Sequence, residues 1–424
     1  MPCDAPDATI DDSVRGHDAP TRARLEFAIR VALAVGIMYQ VAQRFTYTGY
    51  GMSEYGRSLW YVTYQHGFVR RGLAGEALRG IVGGRPTIAT VDFVQNVVAV
   101  AIVAAMVALI VVLSRRRTVI AYAAAAALVV APFAFDSVGG QRRPDLLAFL
   151  VLALVGLWAG TRPVAPTRLA LVAGALLAVC TLASEAAPLI VGPWLVLVVL
   201  AAARARGGRS TRMGVVALLC AAPTVVVLGM LALHGAPSAT QVGALELDAP
   251  DIIEGHGSVF VYLGDTFRSS FQRVTERSNP ELSIVVGLVL VALVAFAFRG
   301  TFGYVRSTGR WILRARVERA LWTAATVITV TVLFALGFDW LRWITTIAFA
   351  ALLAGAAIVA IDGHARHFSP QHRAWHRRLP AKVTVSPGGV AMVAVATYLL
   401  VLPPPPNFVS DAIDGARLLF DIPQ

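Results

Sequence analysis

Two adjacent arginines, Arg70 and Arg71, stand between Gly67 and Gly72 in a stretch that is otherwise apolar and aromatic. A guanidinium is a planar fork of donors that matches the oxygens of a phosphate, so such a pair suits an anionic ligand such as a lipid phosphate or pyrophosphate. Arg57, Arg79, Arg85, His66 and Glu54 belong to the same segment. The competing account is that the long arginine side chains only reach for lipid headgroups. The adjacency of the pair beside two glycines favours a built site.

Isolated carboxylates form the second set. Glu185 lies in a long apolar stretch with few polar neighbours. An ionisable group there is costly and normally faces a polar cavity or a partner. A raised pKa is expected for it, which would suit a general acid or base. The turn from Asp136 to Asp145 also holds Arg142 and Arg143. A salt-bridge cap at helix ends, with Asp145 favoured by the helix dipole, is the structural alternative. Asp339 and Arg342 are three positions apart, so one helical turn brings them together, as a structural ion pair or as part of a site. Trp340 and Trp343 beside them suit an aromatic belt at a membrane interface.

These residues need elements to hold them, and composition says which kind. The 424 residues are 57% hydrophobic and only 15% charged, against roughly 25% charged in soluble domains. The expectation is an all-α polytopic integral membrane protein with about eleven transmembrane helices. Apolar runs fall at Phe27–Gln43, Phe93–Leu113, Val119–Phe135, Leu146–Ala159, Leu169–Ala183, Pro188–Ala203, Val215–Leu233, Leu282–Phe298, Ala320–Gly337, Trp343–Ile361 and Val390–Leu402. Ser184, Glu185, Pro188 and Pro193 are expected to break the stretch from Leu169 to Ala203 into two helices.

The net charge of +12 is nearly all arginine, and Lys382 is the one lysine. If each run spans once, the clusters Arg115–Arg117, Arg162 with Arg168, Arg204–Arg212, Arg299–Arg319 and Arg366–Lys382 share one side. The positive-inside rule makes that side cytoplasmic. The chain is then expected in a bacterial inner (plasma) membrane, with its N-terminus inside and its C-terminus outside. Residues 1–24 read as a disordered cytoplasmic tail. Residues 25–404 read as a single transmembrane domain with outer loops 44–91 and 234–281, and residues 405–424 as an extracytoplasmic tail. The first helix reads as a retained anchor, not a cleaved signal. Apolar residues at near-helical spacing over Ser58–Arg79 and Val259–Arg277 suggest an interfacial helix in each long loop. Arg70, Arg71, Asp145, Glu185, Asp339 and Arg342 would then line one outward-opening cavity, each on the outer side of a different span.

Several chemistries are not indicated. Cys3, Cys180 and Cys220 lack metal-ligand spacing, and the acids of the second loop (Glu246, Asp248, Asp251, Glu254) lack a metal-loop pattern. No metal, no cofactor and no nucleic-acid partner is expected. Oligomeric state is not legible.

The segment His66–Leu73, Arg143 to Asp145, Ser184-Glu185 with the prolines behind it, and Asp339–Trp343 resemble, in order, motifs of a family of bacterial multi-spanning membrane proteins known only as uncharacterised. The layout is more distantly similar to GT-C type glycosyltransferases. That resemblance implies a polyprenyl-phosphate sugar donor, a long first outer loop with a helix along the membrane, and a catalytic carboxylate. The carboxylate position falls near Glu54, where the acid is commonly Asp. The implied function is transfer of a sugar from a polyprenyl-phosphate lipid carrier on the extracytoplasmic face. Glu54, Asp145 or Glu185 would be the base, and Arg57, His66, Arg70, Arg71, Arg142, Arg143, Asp339, Arg342 and Trp343 would bind substrate. The alternatives are a transporter (flippase) of lipid or lipid-linked glycan, in which Glu185 and the Asp339–Arg342 pair gate a path, and a non-catalytic subunit of a cell-envelope assembly complex.

Overall fold

The structure is a computed structural model. It describes residues 27, 30–36, 54–115, 119–130, 143–206, 210–249, 259–265, 269–270, 272, 316–336 and 340–368. Every regular element among these described residues is an α-helix. In chain order they are α1 (Glu54–Ser58), α2 (Gly72–Val82), α3 (Ile88–Ser114), α4 (Val119–Val130), α5 (Leu146–Thr161), α6 (Pro166–Ala183), α7 (Ala186–Ala205), α8 (Ser210–His234), α9 (Ala239–Asp248), α10 (Phe260–Leu263), α11 (Arg316–Leu336) and α12 (Trp340–Phe368), with residues 30–36 helical ahead of them.

The long helices are apolar on every face. Along α3, Val91, Ile102, Leu109 and Leu113 are buried, while Phe93, Val97, Val100 and Val111 are exposed. A helix that shows alkyl groups to its surroundings and pairs its backbone internally is what a hydrocarbon solvent demands. About 20 residues cross a bilayer. Four described stretches are long and apolar enough: Ile88–Ser114, Pro166–Ala183, Ala186–Ala205 and Arg212–His234, of 27, 18, 20 and 23 residues. Shorter apolar helices or parts of helices lie at Leu146–Thr161, Ala324–Leu333 and Phe349–Ile361. The runs expected at Leu282–Phe298 and Val390–Leu402, and the tails 1–24 and 405–424, lie outside the described residues.

Helix α7 is the hub: α5, α6, α8, α11 and α12 pack on it, and Leu195, Val198, Val199 and Ala203 are fully buried. Small residues let the backbones close. A Cβ added at Gly156 would lie 2.5 Å from the Ala357 Cβ, and one at Gly160 3.0 Å from the Ala360 Cβ. The four-residue spacing of these glycines is the one that brings membrane helices into close contact. Phe149 meets Phe349 with ring centroids 5.1 Å apart. The matched pairs 149/349, 156/357 and 160/360 make α12 run parallel to α5 and begin at the same end of the bundle.

The break expected in the Leu169–Ala203 stretch is present, but at Ser184-Glu185 alone. Ser184 is extended (φ −162°, ψ 119°) and Glu185 is the N-cap of α7. Pro188 and Pro193 do not break the chain. Pro188 sits in the first turn of α7, where a missing N–H costs no helical bond, and Pro193 is carried inside that helix. The helix order puts Glu185 at one end of the bundle, with the starts of α3, α5 and α12. At the other end Arg206 donates to the Arg162 carbonyl at 3.2 Å.

The first long loop differs from expectation. No single helix covers Ser58–Arg79. Between α1 and α2 the chain is irregular, and Leu59, Trp60, Tyr61, Val62 and Val69 are buried in a second apolar cluster with Leu78, Val91, Leu245, Phe260 and Leu263. Gly75 explains the fit: a Cβ there would lie 2.2 Å from the Val62 carbonyl oxygen and 2.8 Å from that of Trp60. The apolar residues of this stretch therefore face α2 and its neighbours and do not form a stripe along a membrane surface. In the second loop α9 is set by a capping box, Ser238 with Gln241. Of the helix expected over Val259–Arg277, the four-residue α10 is seen, and much of the rest lies outside the described residues.

Candidate functional site

Arg71 is the N-cap of α2 and has φ 66°, ψ 7°. Among the described residues no other non-glycine has positive φ. The left-handed region is unfavourable for a side chain with a Cβ, so the surroundings must hold Arg71 there. They do so through its guanidinium. Arg71 Nε donates to Glu185 Oε2 at 2.8 Å and Nη2 to Oε1 at 2.7 Å, a two-point fork. Nη1 donates to the Tyr55 hydroxyl at 3.2 Å. The strained turn aims the side chain, and the break between α6 and α7 brings the carboxylate to meet it.

Arg70 is fastened differently. Its Nε donates to the Leu263 carbonyl at 2.9 Å, and Nη2 reaches the carbonyls of Tyr262, Leu263 and Asp265 at 3.0, 2.6 and 2.8 Å. The cation thereby closes the end of α10, where carbonyls lack helical partners. Its Nη1 makes no hydrogen bond among the described residues and faces Glu185 Oε1 at 4.0 Å. The Arg70 backbone N–H donates to the Gly235 carbonyl at 2.9 Å, fixing the loop to the end of α8.

Tyr55, on α1, joins a third arginine. The Arg143 guanidinium lies over its ring, 4.4 Å from the centroid, a cation–π contact. The Tyr262 ring meets Tyr55 edge-on at 6.0 Å. Asp145, two residues after Arg143, is the N-cap of α5 and makes no side-chain capping bond. It is only 7% exposed, and its Oδ1 has no hydrogen-bond partner among the described residues. A buried unpaired carboxylate oxygen is uncommon and calls for an explanation.

The electrostatics correct one expectation. Burial acts to raise the Glu185 pKa, but the charge and hydrogen bonds of Arg71, and then the charge of Arg70, outweigh it and lower the carboxyl to about 2. Glu185 is an ionised counter-anion here, not a carboxyl with a raised pKa. Burial likewise works against the Arg71 charge, yet Glu185 and Tyr55 hold that pKa above its ordinary value. Arg70 is shifted down, by burial first. The Arg71 and Glu185 side chains keep 20% and 26% exposure, so the pair is reachable.

The remaining expected residues divide. Arg57 forms its own two-point pair with Asp92, at 3.0 and 2.9 Å, and serves to join α1 to α3. His66 is exposed and meets Asp248 at 2.6 Å. Arg79 pairs with Glu76 on the same helix. Trp343 is 7% exposed and packs in the main core, so it is not part of an exposed aromatic belt. Glu54 heads α1, but its side chain, like that of Arg342, and the residues Arg142 and Asp339 lie outside the described residues. No group of three or more His, Cys, Asp or Glu suited to a metal occurs among the described residues. Tyr55, the hub of the site, was not singled out in the sequence; its position between Glu54 and Gly56 carries no motif.

The family model for "uncharacterised membrane protein Rv1490" matches residues 27–245, more than half of the chain. The chain belongs to this family. It is therefore a membrane protein, as its apolar helices require. No curated protein and no solved structure matches it. The matched region contains Tyr55, Arg70, Arg71, Arg143, Asp145 and Glu185; Asp339 and Arg342 fall beyond it.

Proposed function

We propose that this chain is a membrane glycosyltransferase of GT-C-like type that takes a sugar from a polyprenyl-phosphate carrier on the extracytoplasmic face. The observation that carries the reading is the cluster of Arg70, Arg71 and Arg143 around Tyr55 and Glu185, at one end of a bundle of apolar helices. Cations fixed in a partly dry setting stabilise charge that develops on a departing phosphate. In the reaction the acceptor hydroxyl oxygen attacks the anomeric carbon and the bond from that carbon to the phosphate oxygen breaks. The polyprenyl phosphate leaves with the electron pair, and the hydroxyl proton passes to a carboxylate, for which Glu54, Asp145 and Glu185 are the candidates. The arginines orient the phosphate before the step and neutralise it after.

A flippase would place polar groups midway along its helices, often at helix breaks. Among the described residues the charged groups of this site sit at helix ends: Arg143 and Asp145 ahead of α5, and Glu185 ahead of α7. That placement favours the transferase.

The test uses purified protein in proteoliposomes with polyprenyl-phosphate pentose and hexose donors, and washed membranes as the source of acceptor. Release of free polyprenyl phosphate that depends on protein and acceptor is expected, and Arg71→Lys should lower it at least tenfold, because lysine keeps the charge but not the fork. Movement of intact donor across the bilayer without release would overturn the transferase in favour of a transporter.

A further inference from the structure

Each guanidinium nitrogen of Arg71 donates one hydrogen bond, two to Glu185 and one to Tyr55. Nη1 and Nη2 each keep a second N–H, good for single bonds, but the two-point face formed by Nε and Nη2 is taken, and a phosphate gains that face only by displacing Glu185. The Tyr55 hydroxyl offers one neutral bond at 3.2 Å, whereas Glu185 holds the two-point face that best fits phosphate oxygens. The seat is therefore the one that Glu185 occupies.

Glu185 also has somewhere to go. Arg70 is clamped through Nε and Nη2 by three carbonyls, which fixes its guanidinium in place. The nitrogen left over, Nη1, points at Glu185 Oε1 from 4.0 Å. A small rotation of the carboxylate would close that gap. A buried carboxylate without any cation would be costly; here a second cation stands beside the first. Glu185 also sits in a two-residue break between α6 and α7, so its movement disturbs no helix.

We propose that Glu185 and a phosphate group compete for one seat on Arg71, and that a bound phosphate monoester or diester shifts Glu185 onto Nη1 of Arg70. The inference rests on the phosphate-binding part of the proposed function. It gives Glu185 two successive roles: counter-anion to Arg71 before binding, and a carboxylate freed beside the phosphate after it. In the second state burial, which favours the protonated form, is opposed by fewer bonds. Glu185 is then better suited to accept the proton of an acceptor hydroxyl.

The experiment measures binding of farnesyl phosphate to the purified full-length chain in detergent, with farnesol and inorganic phosphate as separate arms. Wild type should bind farnesyl phosphate and not farnesol. Inorganic phosphate binding as tightly as the lipid would assign the seat to free phosphate, not to a lipid headgroup. Glu185→Gln should bind farnesyl phosphate roughly tenfold more tightly, within the usual range of coupling between competing ligands. Glu185→Asp, which keeps the charge on a shorter arm and weakens the fork, should show a smaller gain in the same direction. Arg71→Ala should abolish the gain when combined with Glu185→Gln. Unchanged or weaker binding in a folded Glu185→Gln variant, with wild type still binding, overturns the competition alone. Failure of wild type to bind any phosphate probe overturns the phosphate site itself. If both Glu185 variants fail to fold, Glu185 is a structural counter-ion and the competition is overturned.

Discussion

At the scale of single residues, the pair of Arg71 and Glu185 has a pH signature. The folded-state carboxyl, at about 2, lies below its ordinary value of 4.5. Between those values the unfolded chain binds the proton more readily, so stability falls as the pH falls. The contribution of the pair should be complete above about pH 4.5 and lost on the way to pH 2. Thermal unfolding in detergent at pH 6 and pH 3 should show a larger loss in wild type than in Glu185→Gln; equal losses would mean that the pair adds nothing. Asp145 makes the opposite case. Its unpaired oxygen carries a desolvation cost of about 1–3 kcal/mol, set against roughly 0.3–1 kcal/mol from the helix dipole. Asp145→Ala should therefore leave stability unchanged or raise it, while phosphate release in the transferase assay falls; a clear drop in melting temperature would show that Asp145 is a structural cap. Sequence reasoning found Arg70, Arg71 and Glu185 from residue type and setting. It had no means of finding that Arg71 takes a left-handed conformation or that Tyr55 bridges two arginines, because both are consequences of long-range packing.

At the scale of elements, the apolar runs were legible and the loops were not. Length and apolar composition fix a helix such as α3 locally, whereas the stretch Leu59–Val69 takes its shape from α2 lying across it. The same aromatic and apolar spacing that suggested a surface helix proved to be a buried irregular segment, with Gly75 as the contact that permits it. Gly75→Ala should cost about 1–3 kcal/mol, since backbone carbonyls cannot step aside as a side chain can. Gly80, on the same helix, would place its Cβ with nothing within 4 Å. Gly80→Ala should stabilise by about 0.5–1 kcal/mol through helix propensity. Melting temperatures of the two variants decide it, and a harmless Gly75→Ala would remove the packing account. The glycine pair at 156 and 160 was not singled out in the sequence, and its partner helix, α12, could not be, since nothing local pairs two segments two hundred residues apart.

At the scale of the whole molecule, composition made the membrane class plain, and family membership agrees with it. The expectation of eleven spans rests on the apolar runs, and that of the orientation on the distribution of arginines; among the described residues four stretches are long and apolar enough to span. Reporter fusions after Arg206 should report cytoplasm, and fusions after Asp248 should report the outside; the reverse pattern would turn the bundle over and place the arginine cluster on the cytoplasmic face. Basic residues stand at both ends of the bundle, and their partners differ. Arg57, Arg71 and Arg79 are each paired with a carboxylate, which offsets the charge that would otherwise draw that end inward. The central claim is that the cluster of Arg70 and Arg71 seats a lipid phosphate. It is tested most directly by an electron cryo-microscopy map of the full-length protein in nanodiscs with farnesyl phosphate. The account predicts phosphate density about 2.7–2.9 Å from the Arg71 guanidinium, with Glu185 turned toward Arg70. A farnesyl phosphate whose headgroup lies elsewhere, with the Arg71–Glu185 fork intact, would contradict it.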